Sequence, residues 1–202
     1  MKLKNNLMKL FAVAALSNLT ANSVFADCWY NTRRDNGNVN IYYDASVAAY
    51  YYGSLIDNAR SDWSSISTEV KLYHSTSTVN APDKYYVGDS DPYLTTTLGF
   101  MVPYKKLANG SIVIAEKDDT WHYCTVSLFH ETMNIVNWTT NAHRQSVITH
   151  EMGHTLKLHH PGQGTQRIQP MGAGNTSIMH AIDLVYSIQP YDEQELKFKW
   201  GN

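Results

Sequence analysis

The 202-residue chain has only two cysteines, Cys28 and Cys124, and neither has a second cysteine at ligand spacing. That excludes a cysteine-built metal site of the finger or ribbon kind. Long apolar runs are lacking too: Leu10 to Leu16 stops well short of a bilayer-spanning helix. Basic residues are in the minority, with 16 Lys and Arg against 18 Asp and Glu. The balance leaves no electrostatic footprint for nucleic acid or for an anionic membrane. Internal repeats and low-complexity tracts are absent, so neither a solenoid nor a compositionally disordered chain is expected.

What the N-terminus does contain is an ordered series of signals. Lys2, Lys4 and Lys9 precede the apolar run, and Val24-Phe25-Ala26 closes it with a small residue. This is the pattern of a secretory signal peptide over residues 1–26, and a membrane anchor is the rival reading. Asp27 before Cys28 argues against lipid modification of that cysteine. Cleavage after Ala26 removes three lysines and no acids, leaving 176 residues with 13 basic against 18 acidic. One domain, 27–202, is expected, in an extracellular or cell-envelope location. Export would make a Cys28–Cys124 disulfide permissible, with two buried thiols as the alternative.

Periodicity then suggests the architecture. Val39, Ile41 and Tyr43 alternate with polar neighbours, as in a half-buried strand. From Ala48 through Tyr52, Leu55, Ile56, Ala59 and Trp63 to Ile66, apolar residues recur at three- and four-residue steps and predict one continuous helix. Val70 and Leu72 open a second strand, giving a strand-helix-strand unit and hence a parallel pair. Tyr85–Val87, Thr96–Val102, Ile112–Ala115 and Met133–Val136 are further short strand candidates. A long helix follows, with Asn141 as its expected cap. Asp89 with Asp91, and Asp118 with Asp119, offer oxygen ligands for a structural calcium ion, though as a series they are incomplete.

The chemistry concentrates in His150-Glu151-Met152-Gly153-His154. Residues four apart on a helix lie one turn from each other on the same face, so both imidazoles can reach one metal ion. Glu151 points elsewhere and is free to act on a water molecule. His160 follows six residues later, beyond the expected end of the helix, where the chain can turn back toward the same ion. Three imidazoles and an open fourth position are what a catalytic zinc site needs, whereas structural sites are closed by four protein ligands. His74, His122, His130, His143 and His180 have no comparable spacing, and His159 falls out of register as a rim residue.

With the third histidine the segment resembles the metzincin metallopeptidases, whose pattern is H-E-x-x-H-x-x-G-x-x-H followed by a methionine turn. Ser177-Ile178-Met179-His180 resembles that turn, and Met179 would form a hydrophobic floor under the metal. Pro190 and Asp192 look like the start of the family's C-terminal helix. The short chain and its strand-helix-strand opening are most similar to matrixin-type members. Ala181 stands where astacin-like relatives place a zinc-binding tyrosine, and Lys157 stands where the family has glycine. Glycine there would supply a left-handed exit from the helix, so Lys157 is expected to adopt that conformation, and its replacement by glycine to change stability only modestly.

The resemblance implies an α/β fold: a twisted mixed sheet with an antiparallel edge strand, an active-site helix and a C-terminal helix. It implies a zinc-dependent endopeptidase in which Glu151 is the general base, with zinc on His150, His154 and His160. A protein or peptide substrate would lie along an edge strand within 96–116, and Tyr186 would sit in or near the specificity-pocket wall. The chain is expected to be a monomer without nucleic-acid partner or stable membrane insertion. Two rivals stand beside this reading. One is a zinc peptidase of another class, with Glu193 or Glu195 as third ligand. The other is an exported zinc protein without peptidase activity.

Overall fold

The computed structural model describes residues 34, 37–80, 82–90, 96–161, 176–180 and 185–202. Its centre is a six-stranded sheet in the order β2-β1-β3-β6-β4-β5. The strands are β1 (Asn38–Tyr43), β2 (Lys71–Ser75), β3 (Asp83–Gly88), β4 (Gly99–Lys106), β5 (Ile112–Ile114) and β6 (Tyr123–Phe129). β2, β1, β3 and β6 run parallel, while β4 is antiparallel to both of its neighbours. This is the mixed sheet that the sequence implies, with the antiparallel hairpin at one edge.

Among the described residues five helices accompany it: α1 (Ala45–Ala49), α2 (Gly53–Ile66), α3 (His130–Ile135), α4 (Asn141–Thr155) and α5 (Pro190–Trp200). α2 packs against α4, and the core between sheet and helices holds Ile41, Ile56, Trp63, Tyr85, Ile148 and Met152, all fully or almost fully buried. The Trp63 indole donates to the Thr149 carbonyl at 2.9 Å and so ties α2 to the middle of α4. Among the described residues no helix is long and apolar enough to cross a membrane.

Three local expectations are corrected. The helix predicted from Ala48 to Ile66 is broken at Tyr51, whose φ is +62°. The break turns Tyr52 into the core, where its hydroxyl meets His130 Nδ1 at 3.2 Å. Periodicity alone could not see it, because Tyr52 stays on the apolar stripe either way. Met133–Val136 is not a strand: the N–H groups of Glu131 and Thr132 donate to the Asp89 carbonyl and start α3 there. The strand of this region is β6, where Cys124, Val126 and Leu128 point inward between polar neighbours, an alternation the sequence reading overlooks. Finally, α4 is capped by Thr140, whose hydroxyl accepts from His143 N at 3.2 Å, and Asn141 is its first helical residue.

Cys28 and Asp91 lie outside the described residues. Cys124 is fully buried, with its sulfur 3.8 Å from the Arg34 guanidinium. Arg34 forms a bidentate pair with Asp83, at 2.6 and 2.8 Å, and also donates to the Thr155 carbonyl at the end of α4. Asp119 accepts from Lys105 Nζ at 2.7 Å and from Glu116 N at 2.6 Å, so its carboxylate already has protein donors.

Candidate metal centre

α4 carries the first two histidines on one face. His150 and His154 are one turn apart, and their Nε2 atoms approach to 3.1 Å. The chain then leaves the helix through Leu156 and Lys157 and returns with His160, whose Nε2 is 3.2 Å from both of the others. Among the described residues this is the group of three or more metal-capable side chains that comes together. Glu193 and Glu195, candidates for an alternative third ligand, do not join it. Glu193 faces Lys197 at 3.9 Å, and Glu195 is buried on α5.

The tautomers follow from the neighbours. His150 Nδ1 lies 2.7 Å from the Ile178 carbonyl, and His154 Nδ1 lies 2.9 Å from the Leu158 carbonyl. A carbonyl can only accept, so both Nδ1 atoms carry hydrogen and both Nε2 lone pairs face the centre. Burial pushes the His150 pKa down to about 3, with His160 adding to the effect, and lowers that of His154 by the same causes. The two inward lone pairs of His150 and His154, with His160 Nε2 beside them, make an electron-rich triangle that a cation would relieve. Tetrahedral zinc with bonds of about 2.05 Å requires donors roughly 3.3 Å apart. The observed triangle is close to that, so the donor set fits zinc.

Glu151 follows His150 but lies outside the ligand group, 6% exposed, and burial raises its pKa to about 8. Strand β4 presses directly on it. A Cβ at Gly99 would come within 3.1 Å of Glu151 Cγ and of Val147 Cγ1, so glycine lets β4 pass this close without displacing either side chain.

Below the helix, Met179 is buried against Gly153. A Cβ at Gly153 would lie 2.3 Å from Met179 Sδ and 3.0 Å from the Trp63 ring, which explains the small residue inside the helical motif. The turn carrying Met179 is held by Asp192 of α5, 1% exposed, which the sequence reading took only as a sign of the helix start. Its carboxylate accepts from the Ser177 hydroxyl, from Ile178 N at 2.8 Å and from Gln189 N at 2.8 Å. The Ile178 carbonyl in turn accepts from His150 Nδ1, so Asp192 and a metal-facing imidazole grip the backbone of the same residue. A serine two residues before the methionine and an acid at the third position of the last helix were the available signals.

Lys157 has φ +63°, the left-handed conformation expected of it. The structure adds a reason for lysine. The side chain is 1% exposed, its ammonium donates to the Asp119 carbonyl at 2.8 Å, and it lies 4.4 Å from the centre of the Trp121 ring. Burial lowers its pKa to about 8. Lys157→Gly would therefore lose an anchor as well as relieve backbone strain of about 1–2 kcal/mol. The cation–π contact and hydrogen bond are together worth about 2–3 kcal/mol, and the more flexible glycine costs roughly another 0.5–1. Contrary to the sequence expectation, Lys157→Gly should lower Tm by several degrees while metal still binds, as thermal unfolding of the metal-free and loaded protein will show. An unchanged or raised Tm would remove the anchoring role.

Tyr186 is 44% exposed, with its ring 5.6 Å from that of His143, which in turn is 5.4 Å from Trp138. His143 stands two turns before His150, on the same face of α4. Tyr186 thus faces the approach to the metal-facing side of the helix.

No family model matches the sequence, and no curated protein does. Among solved structures, that of myroilysin superposes with a TM-score of 0.53 at 14% sequence identity, covering 85% of this chain and 96% of that chain. At that identity the likeness concerns the fold alone, a mixed sheet with accompanying helices.

Proposed function

We propose that this protein is an exported, zinc-dependent endopeptidase of the metzincin type, with His150, His154 and His160 as the metal ligands and Glu151 as the general base. The observation that carries the reading is the convergence of three Nε2 atoms within 3.2 Å beside a buried glutamate. Bound there, zinc would supply Lewis-acid polarisation of the scissile carbonyl and of the attacking water. Glu151 accepts the proton of that water and returns it to the leaving amine.

The substrate chain lies along β4. Its inner edge pairs with β6 from Gly99 to Tyr104, but β5 covers the outer edge only from Tyr104 to Lys106. Residues 99–102 therefore offer backbone groups to an extended peptide, directly beside Glu151. Tyr186 forms part of the pocket wall on the opposite side. The same reading includes removal of residues 1–26 and a bridge between Cys28 and Cys124.

A peptide-library digest with and without a zinc chelator tests the activity. Cleavage that chelation stops and zinc restores is expected, at about one equivalent of zinc per chain. Zinc bound without any cleavage would instead indicate a non-enzymatic zinc protein. Intact mass of the exported protein, before and after alkylation without reductant, checks the cleavage point and the bridge. Two alkylated cysteines would exclude the bridge.

A further inference from the structure

The chain that carries His160 leaves α4 through three consecutive residues, and each is held by a different part of the molecule. The Thr155 carbonyl accepts from Arg34 at 3.3 Å and the Leu156 carbonyl from the Trp200 indole at 3.0 Å, while the Lys157 ammonium donates to the Asp119 carbonyl at 2.8 Å. Trp200 belongs to α5 and Asp119 to the loop before β6, whereas Arg34 precedes β1. Carbonyls in the last turn of a helix have no partner within it and carry the negative end of its dipole, so a cation suits them best. Of the three ties, only that of Arg34 brings a charge to a carbonyl of this helix end.

Arg34 does not reach the helix as a loose surface side chain. It is buried, and the two Asp83 oxygens fix both of its terminal nitrogens at 2.6 and 2.8 Å. Asp83 is itself fully buried at the start of β3 and also accepts from Cys124 N of β6 at 2.7 Å. The guanidinium therefore stands on two central strands of the sheet, and its Nη1 reaches across to α4. A rigid planar fork can satisfy a carboxylate and a carbonyl together; a lysine ammonium is a point charge without that fixed geometry.

What this tie holds concerns two of the three imidazoles. The Leu158 carbonyl accepts from His154 Nδ1 at 2.9 Å, and two residues later His160 closes the triangle, its Nε2 3.2 Å from both of the others. A shift of the α4 end moves the carbonyl that orients His154 and the root of His160 together. His150, whose Nδ1 is held by Ile178 of another segment, is spared. We propose that Arg34 is a positioning residue for the metal centre: it fixes the end of α4 against the sheet, so that Leu158 and His160 return to where the imidazoles converge. It touches neither metal nor substrate and acts through the backbone from Thr155 to Leu158. The role rests on the metal-binding reading given above, but one of its two measurements needs no metal.

The test compares the full chain with its Arg34→Lys and Arg34→Gln variants, below the temperature at which circular dichroism shows any of them to unfold. Arg34→Lys keeps a cation for Asp83 and so isolates the loss of the fork; Arg34→Gln, which strands the buried carboxylate, should be the less stable of the two. The first measurement is amide hydrogen exchange in the metal-free proteins. The Lys157 and Leu158 N–H groups close the helix end on His154 and Gly153, and their exchange in Arg34→Lys is expected to quicken about tenfold or more, while that of Ile148, in the middle of α4, stays within about twofold. The second is zinc affinity by competition against a calibrated chelator, expected to fall about 10–100-fold, as for other lost outer supports. Parental exchange at Lys157 and Leu158 in both variants overturns the proposal, and so does parental zinc affinity. Equal quickening at Ile148 also overturns it, because Arg34 would then stabilise the whole fold without setting the helix end. A parent chain that binds no zinc would overturn the metal reading, and with it any role at a metal centre, whatever the exchange difference shows about the helix end.

Discussion

Glu151→Ala is expected to bind zinc at about one equivalent and to lose peptide hydrolysis by several powers of ten. The two halves separate because Glu151 lies outside the histidine group yet directly follows its first member in α4. Removing a general base costs about 10²–10⁴ in rate, and the loss of a charge beside the reacting carbonyl adds about 10²–10³. The side chain is buried between α4 and β4, so its truncation also opens a small cavity next to Gly99. Glu151→Gln fills that space with an amide that cannot take the proton, and it should be nearly as inactive while matching the parent in Tm. Zinc content by mass spectrometry and initial rates on one cleaved peptide decide the matter. Turnover within tenfold of the parent in either variant would remove Glu151 from the reaction.

The histidine triangle was legible because helix geometry is local. A spacing of four fixes two imidazoles on one face without reference to the rest of the chain, and His160 needs only a turn after the helix. Lys157 shows where this ends. Its left-handed backbone followed from its place in the motif, but its value as an anchor depends on Asp119 and Trp121, more than thirty residues upstream. The break at Tyr51 and the start of α3 at Asp89 were hidden for the same reason. Each is set by where a side chain or a carbonyl finds its partner in the assembled core. Likewise, Gly99 reads as an ordinary glycine within a strand candidate until β4 is laid against Glu151.

Asp192 is the residue whose weight the sequence least revealed, and Asp192→Ala is expected to reduce both stability and metal affinity. Its carboxylate is the common acceptor for Ser177, Ile178 and Gln189, and so joins the methionine turn to the first turn of α5. Burial lifts its pKa while those bonds pull it down. Alanine leaves two buried donors and one part-buried donor without an acceptor, a loss of about 3 kcal/mol, or close to 10 °C in Tm for a domain of this size. The effect continues to the metal. Ile178 donates its N–H to Asp192 and accepts the Nδ1 proton of His150 through its carbonyl. Freed from Asp192, the backbone around Ile178 no longer holds the carbonyl that fixes the His150 ring, and losing such an outer support typically weakens metal binding about 10–100-fold. Asp192→Asn keeps one acceptor oxygen and should fall between. Glu193→Gln, on the exposed side of the same turn, should change neither property. Competition against a calibrated chelator, below the variant's unfolding temperature, separates the two effects. Parental zinc affinity in folded Asp192→Ala would show that the methionine turn supports the fold but does not orient the ligand.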